Sequence, residues 1–178
     1  MSPITLLQDG SPDRWLSFSQ PHGVVSASRT EDVLPALGEI EEVVRTRGLW
    51  AVGYLSYEAG PAFDPALAAH APGALPLLWY GLYPPPQVSA TLPLAPSAHI
   101  PQYEWQPSVT KTAYDAAIAR IRALIAAGDT YPVNYPLRLH SEPKETPEAL
   151  FARMVEANKP RYSAYLDMGH FVICSASP

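Results

Sequence analysis

Residues 114–139 constrain the fold of this chain most, because a helix pattern, a helix stop and a strand pattern follow one another there without a gap. Apolar residues at spacings of three and four predict one face of a core-facing helix: Tyr114, Ala117, Ile118, Ile121, Leu124 and Ile125. Thr110 or Thr112 is the candidate N-cap, and Gly128 can adopt the left-handed conformation that ends a helix. The boundaries of this helix are therefore well marked.

A strand is predicted directly after this helix. Apolar residues alternate with other residues there: Tyr131, Val133, Tyr135, Leu137 and Leu139 against Pro132, Asn134, Pro136, Arg138 and His140. Pro132 and Pro136 lack the amide that a sheet ladder uses, and their spacing puts both missing donors on one strand edge. They would weaken a central strand that is paired on both sides, and we interpret them as a defect there. An edge position, a bulge or a locally irregular strand would tolerate them.

The rest of the sequence predicts an α+β fold, a mixed and mostly antiparallel sheet with packed helices. A proline-rich connector covers residues 71–107, within one folded unit or at a subdomain boundary. The other predicted elements are a hairpin of residues 15–18 and 24–27, a helix capped by Thr30 and stopped by Gly48, strands at 50–57 and 75–83, a helix with Pro147 first, and a hairpin of 161–167 and 171–174.

Composition limits the possible partners. The chain of 178 residues is 47% hydrophobic and 16% charged, which fits one globular core. Its net charge is -5 and it contains no Lys/Arg run, so nucleic acid and anionic membrane surfaces are not expected partners. Neither a secretory signal nor an apolar stretch of about 18 residues occurs, so the sequence predicts a cytoplasmic protein.

Residues that would supply familiar catalytic or metal chemistry are sparse. Cys174 is the only cysteine, and its apolar neighbours favour an inert buried thiol over a nucleophile. The 5 histidines show no metal-binding spacing. No G-x-S-x-G elbow surrounds Ser175 or Ser177, and no glycine-rich phosphate loop occurs. These residues therefore give no support for a hydrolase, a metal site or nucleotide binding.

Three stretches resemble the chorismate-utilising enzymes, the family of aminodeoxychorismate synthase component I and anthranilate synthase component I. Residues 114–138 resemble the family segment Y-x-x-A-I-x-x-I-x-x-x-I-x-A-G-D-x-Y-Q-V-N-x-T-x-R. Residues 48–67, GLWAVGYLSYEAGPAFDPAL, look like its G-x-W-x-x-G-Y-L-S-Y-E-A stretch, particularly in aminodeoxychorismate synthases. Residues 173–178, ICSASP, resemble its I-x-S-x-S-P motif, which continues in the family with Glu-Leu-Phe.

The resemblance implies the amino-terminal part of the anthranilate synthase component I-like fold. Residues 1–107 would be its amino-terminal region, ending in the connector, and residues 108–178 the start of a truncated chorismate-binding region. The implied full-length enzyme aminates chorismate to 4-amino-4-deoxychorismate for 4-aminobenzoate and folate synthesis, with Mg²⁺ and with ammonia from a glutamine amidotransferase subunit. In the family the catalytic residues and the magnesium ligands lie beyond this sequence, so none is assigned here. The chain is expected to be a fragment that is inactive alone.

Some residues match positions of this family that support a ligand. Asn134 and Arg138 match polar positions of the strand, and with Tyr131 they are candidates for supporting a carboxylate-rich ligand or for tying neighbouring backbone together. Pro132 and Pro136 stand where the family commonly has Gln and Thr. The strand is therefore the part of the segment that departs most from the family.

The family also has a tryptophan pocket, whose positions are vestigial in this sequence. Its first motif would lie at residues 16–19, LSFS, which assigns Ser19 to the pocket, but the Glu of feedback-regulated enzymes is absent. Its second motif, N-P-S-P-Y-M, aligns with NKPRYS, which assigns Asn158, Tyr162 and Ser163. Arg161 replaces the second proline and Ser163 the methionine, so no regulation by tryptophan is expected.

Two other interpretations stay open. An anthranilate synthase component I would share this fold and would also eliminate pyruvate, a step that residues outside this sequence decide. A noncatalytic remnant or binding module would retain only the amino-terminal layer of the family. Pro132, Pro136 and the stop at Pro178 inside a family motif favour this last interpretation.

Overall fold

The computed structural model describes residues 4–11 and 13–177, which divide into two compact units. The core unit comprises residues 4–97 and 147–177, and the inserted unit comprises residues 98–146. Helices and antiparallel sheets are mixed along the chain, which confirms the predicted α+β class. The predicted division of the chain at residue 107 stays a prediction. None of the described helices is long and apolar enough to cross a membrane.

The inserted unit contains β7, α2 and β8, and the core unit contains the other elements. In chain order they are β1 (Ile4–Asp9), β2 (Trp15–Ser19), β3 (Gly23–Ala27), α1 (Thr30–Arg47), β4 (Trp50–Leu55), a 3-10 helix (Tyr57–Ala62), β5 (Leu78–Tyr83), β6 (Gln87–Ser89), β7 (Gln106–Pro107), α2 (Lys111–Ala127), β8 (Leu139–His140), α3 (Pro147–Asn158), β9 (Tyr162–Asp167) and β10 (Val172–Ser177).

Two antiparallel sheets form the centre of the core unit. The five-stranded sheet has the order β10-β9-β1-β2-β6, and the three-stranded sheet has the order β3-β5-β4. Strand β1 pairs with β2 on one side and with β9 on the other, so Gln8 lies opposite both Trp15 and Ser163. The first described strand, β1, is thereby the central strand of this sheet, and the hairpin of β9 and β10 extends the sheet on one side of it.

The core unit is built in layers, with α1, the three-stranded sheet, the five-stranded sheet and α3 in succession. Leu78 and Leu82 of β5 pack with α1, whereas Tyr83 of the same strand packs with Phe18 of the five-stranded sheet. On the other face of that sheet, Phe151 of α3 is fully buried. Alternate side chains of a strand point to opposite faces, so each sheet contributes to two apolar layers.

Close packing of β4 on β5 requires a glycine. A Cβ atom at Gly53 would lie 1.9 Å from the carbonyl oxygen of Trp79 and 2.7 Å from the Cα of Tyr80. These are backbone atoms, so no side-chain rotation would relieve the clash. Gly53 therefore permits an approach of the two backbones that no other residue would allow.

The helix ends follow the predicted signals with one exception. Gly48 and Gly128 both have left-handed backbone conformations, with φ of 63° and 82°, and they end α1 and α2. The Thr110 hydroxyl accepts a hydrogen bond from the Ala113 amide, so Thr110 caps α2. The predicted cap at Thr30 was wrong by one residue, because Arg29 holds the extended cap position and Thr30 is already helical.

One predicted hairpin formed and the other did not. Strands β9 and β10 pair antiparallel across a turn at Gly169, as predicted. The hairpin of residues 15–18 and 24–27 was wrong, because β2 belongs to the five-stranded sheet and β3 to the three-stranded sheet. Both edges of β2 are already paired, with β1 and β6, so β3 has no free edge of β2 to join.

Within the inserted unit, α2 forms a helix but does not bury an apolar face. None of the residues of α2 is buried, so the prediction of a core-facing helix was wrong for this chain. The predicted strand at residues 131–139 was also wrong over most of its length, since only Leu139–His140 pairs, with Gln106–Pro107. Pro132 and Pro136 each remove an amide donor, and no other described strand lies alongside this segment.

Candidate functional site

The corner between α3 and β9 holds three of the residues that the sequence assigned to a pocket. Here α3 ends at Asn158, whose amide side chain donates to the carbonyl oxygen of Met154 at 2.9 Å. The chain reverses through Lys159, which has a φ of 44°, and enters β9 at Tyr162. The Asn158 side chain therefore serves the helix end and lies exposed.

A buried polar pair lies beside this corner, between β1 and β9. The Ser163 hydroxyl donates to the Gln8 side-chain oxygen at 3.0 Å. Both residues are buried, with exposed fractions of 4% for Ser163 and 7% for Gln8. Burial of a polar group is costly unless it is paired, so this hydrogen bond offsets the cost of placing both side chains inside.

Sequence reasoning missed Gln8. Its local signal is weak, since it is a polar residue directly after the mostly apolar stretch ITLL and before Asp9. Its partner Ser163 lies 155 residues away, so the pairing depends on a strand contact that local patterns do not reveal. A pair of this kind is recognisable only after the register of β1 and β9 is known.

A cavity of about 400 Å³ opens next to the buried pair, inside the core unit. Trp15 and Val155 contribute apolar surface to its lining, and Gln8, Asp13 and Lys159 contribute polar or charged side chains. Trp15 also makes an edge contact with the Phe151 ring. The lining therefore combines apolar surface with one acidic and one basic side chain.

The structure separates Ser19 from the other predicted pocket residues. Ser19 lies opposite Ile4, whereas Ser163 lies opposite Gln8, four residues further along β1. At the rise of a strand, that interval is about 13 Å. Tyr162 is 55% exposed and covers Gly10, where an added Cβ would lie 3.0 Å from its ring. Asn158, Tyr162 and Ser163 thus share one corner, and Ser19 lies at the other end of the sheet.

The three ligand-supporting candidates all belong to the inserted unit and lie on its surface. Tyr131 is 91% exposed, and Asn134 and Arg138 are exposed as well. The carbonyl oxygen of Arg138 accepts a hydrogen bond from the Ser108 amide at 2.9 Å. Exposed side chains contribute little directed binding on their own, so their support for a carboxylate-rich ligand stays a prediction.

Two groups next to α3 hold their protons strongly. Burial, followed by the nearby Glu148 charge, raises the pKa of the Cys174 thiol to about 11. Burial is also the main cause that raises the pKa of Tyr165. A raised pKa keeps the thiol protonated at neutral pH, which agrees with the expected inert cysteine and opposes a nucleophilic role.

Side chains that commonly bind metal ions do not cluster in the described part of the chain. Among residues 4–11 and 13–177, no group of three or more His, Cys, Asp or Glu side chains is placed to hold a metal ion. Magnesium prefers a set of oxygen ligands that includes carboxylates. The described residues therefore do not fit a magnesium site, and no catalytic step through a metal is derived for this chain.

The chain matches the family model of chorismate binding enzymes over residues 2–178, and it belongs to this family. It is also 38% identical over 74 residues to anthranilate synthase component 1 of Thermus thermophilus. That match covers 42% of this chain and 16% of the relative, so the matched segment spans only a small part of the relative's length. The family predicted from three sequence stretches is confirmed, and the particular member stays a prediction.

Proposed function

We propose that this chain forms the amino-terminal portion of an aminodeoxychorismate synthase component I. The whole enzyme aminates chorismate to 4-amino-4-deoxychorismate, on the route to 4-aminobenzoate and folate. Membership of the chorismate-binding family over residues 2–178 supports chorismate as the substrate. The single observation that carries the finer assignment is the GYLSYEA sequence at residues 53–59, which resembles this branch of the family.

This GYLSYEA stretch is closely tied into the core unit. Gly53 permits the close contact of β4 with β5, and the Tyr54 hydroxyl donates to the carbonyl oxygen of Pro76 at 3.0 Å. Ala59, at the end of the stretch, is fully buried. Gly53 and Ala59 make packing contacts and Tyr54 makes a hydrogen bond, which supports a structural role for these three positions rather than a role as reacting residues.

The proposal gives the core unit a scaffolding role. Chorismate carries carboxylates, and the proposed full-length enzyme would use a magnesium ion, which would supply positive charge to an anionic substrate. The described residues do not fit that ion, so its ligands and the catalytic groups belong to other parts of the proposed enzyme. The proposal also includes a glutamine amidotransferase subunit as the source of ammonia, and a cytoplasmic location.

Anthranilate synthase component I is the second candidate. The observation in its favour is the 38% identity over 74 residues with a protein of that name. The two reactions start from the same substrate and differ in whether pyruvate is eliminated. The products therefore separate the two candidates directly.

A noncatalytic scaffold is the third candidate, and it rests on the inserted unit. Pro132 and Pro136 occur in the segment that the resemblance makes a strand, and α2 has no buried residue. A protein that retained the fold without the reaction would tolerate both features. Such a scaffold would bind only an amidotransferase partner, or no partner.

The test is a product analysis with the complete product of the gene, supplied with chorismate, Mg²⁺ and ammonium. We expect 4-amino-4-deoxychorismate by mass spectrometry and no pyruvate. Anthranilate with an equal amount of pyruvate would replace the proposal with the second candidate. No product from a folded protein, even with an amidotransferase and glutamine, would favour the scaffold.

The matched control is the 178-residue chain under the same conditions. It should form neither product, because the described residues present no magnesium ligand set. Turnover by this chain alone would contradict the assignment of the catalytic groups to other parts of the enzyme.

A further inference from the structure

We draw no further inference here: the strongest candidate, the apolar groove of about 300 Å³ that Leu55, Tyr57, Phe63 and Leu67 line beside the 3-10 helix of the core unit, carries nothing, because the Ser56 hydroxyl at its wall is buried out of a ligand's reach and nothing in the structure shows what covers the groove.

Discussion

Helices α1 and α2 have similar lengths and similar ends but different surroundings. They contain 18 and 17 residues, and a left-handed glycine ends each of them. Helix α1 buries Val33, Ala36 and Ile40 against the three-stranded sheet, whereas α2 buries none of its residues. The difference shows that local sequence determines where a helix begins and ends, and that tertiary partners determine whether its apolar face becomes a core.

Strand β9 and the segment at residues 131–138 differ in the same way. Strand β9 pairs with β1 on one side and with β10 on the other. The segment at 131–138 has the alternation of a strand, but no described strand pairs with it. Its apolar side chains consequently remain exposed, among them Tyr131 at 91%. Substitutions can separate the two causes of this difference between the units, which are the availability of a neighbouring element and the local sequence.

The largest effect is expected for Gly53→Ala in the core unit. The added Cβ would lie 1.9 Å from a backbone oxygen of β5, so β4 and β5 would have to separate. We expect the free energy of unfolding to fall by about 3 kcal/mol or more, the upper range for overpacking. Urea unfolding followed by tryptophan fluorescence measures this change.

The matched control is Gly38→Ala, in the exposed middle of α1, where an added Cβ meets nothing within 4 Å. Alanine is the better helix former, so this variant should gain about 0.5–1 kcal/mol. A loss of stability in both variants would mean that the close contact of β4 with β5 is not the cause.

The same substitution in the two helices tests the comparison directly. Ile40 is 7% exposed in α1, and Ile125 is 42% exposed in α2. Ile40→Ala should lower the free energy of unfolding by about 2–4 kcal/mol, because it removes buried methylene groups and leaves a cavity. Ile125→Ala should change it by less than about 0.5 kcal/mol, as expected for a surface position.

Urea titrations measure the free energy of unfolding of both variants. The comparison is valid if the m-value is the same in both variants and in the unsubstituted chain. If Ile125→Ala proved as costly as Ile40→Ala, the apolar face of α2 would be covered in solution. The contrast between the two units would then fail, most simply because copies of the chain associate. Sedimentation at two protein concentrations would identify that case.

A smaller effect is expected for the polar contact between the two sheets of the core unit. The hydroxyls of Thr5 and Tyr83 lie 2.9 Å apart and are buried. Tyr83→Phe leaves the Thr5 hydroxyl without this partner, so it should cost about 1–3 kcal/mol, whereas replacing both groups should cost less than the sum. A double-mutant cycle with Thr5→Val and Tyr83→Phe measures the coupling, and strictly additive losses would show that the hydrogen bond contributes nothing.

Much of the fold was readable from local signals, because those signals act within a few residues. The Thr110 hydroxyl and the Gly128 backbone each act on a helix end next to them; Gly128 was predicted as the stop, and Thr110 was one of the two predicted caps. The predicted hairpin of β2 and β3 failed because strand pairing depends on which edges are free, which no single strand encodes.

The candidate site was harder to predict for the same reason. Tyr162 and Ser163 were assigned together because a motif places them side by side, whereas Gln8 joins Ser163 only through a contact across 155 residues. Ser19 was grouped with them by motif, and the register of β1 places it at the other end of the sheet. The residues that share a site are therefore set by strand register, which a short motif cannot supply.

The smallest effect is expected for the segment at residues 131–138. Its lack of strand structure has two candidate causes, which are its two prolines and the absence of a neighbouring described strand. Pro132→Gln together with Pro136→Thr restores both amide donors in residues 131–138. If the prolines alone prevented the strand, the double variant would gain a ladder and slow amide exchange. We expect instead no added protection and a change in the free energy of unfolding below about 0.5 kcal/mol, because an amide stabilises a strand only when a partner accepts its hydrogen bond. Hydrogen exchange of the inserted unit, with β9 as the protected reference, gives the answer. New protection at residues 131–138 would show that the prolines, and not the lack of a neighbouring strand, distinguish this unit from the core.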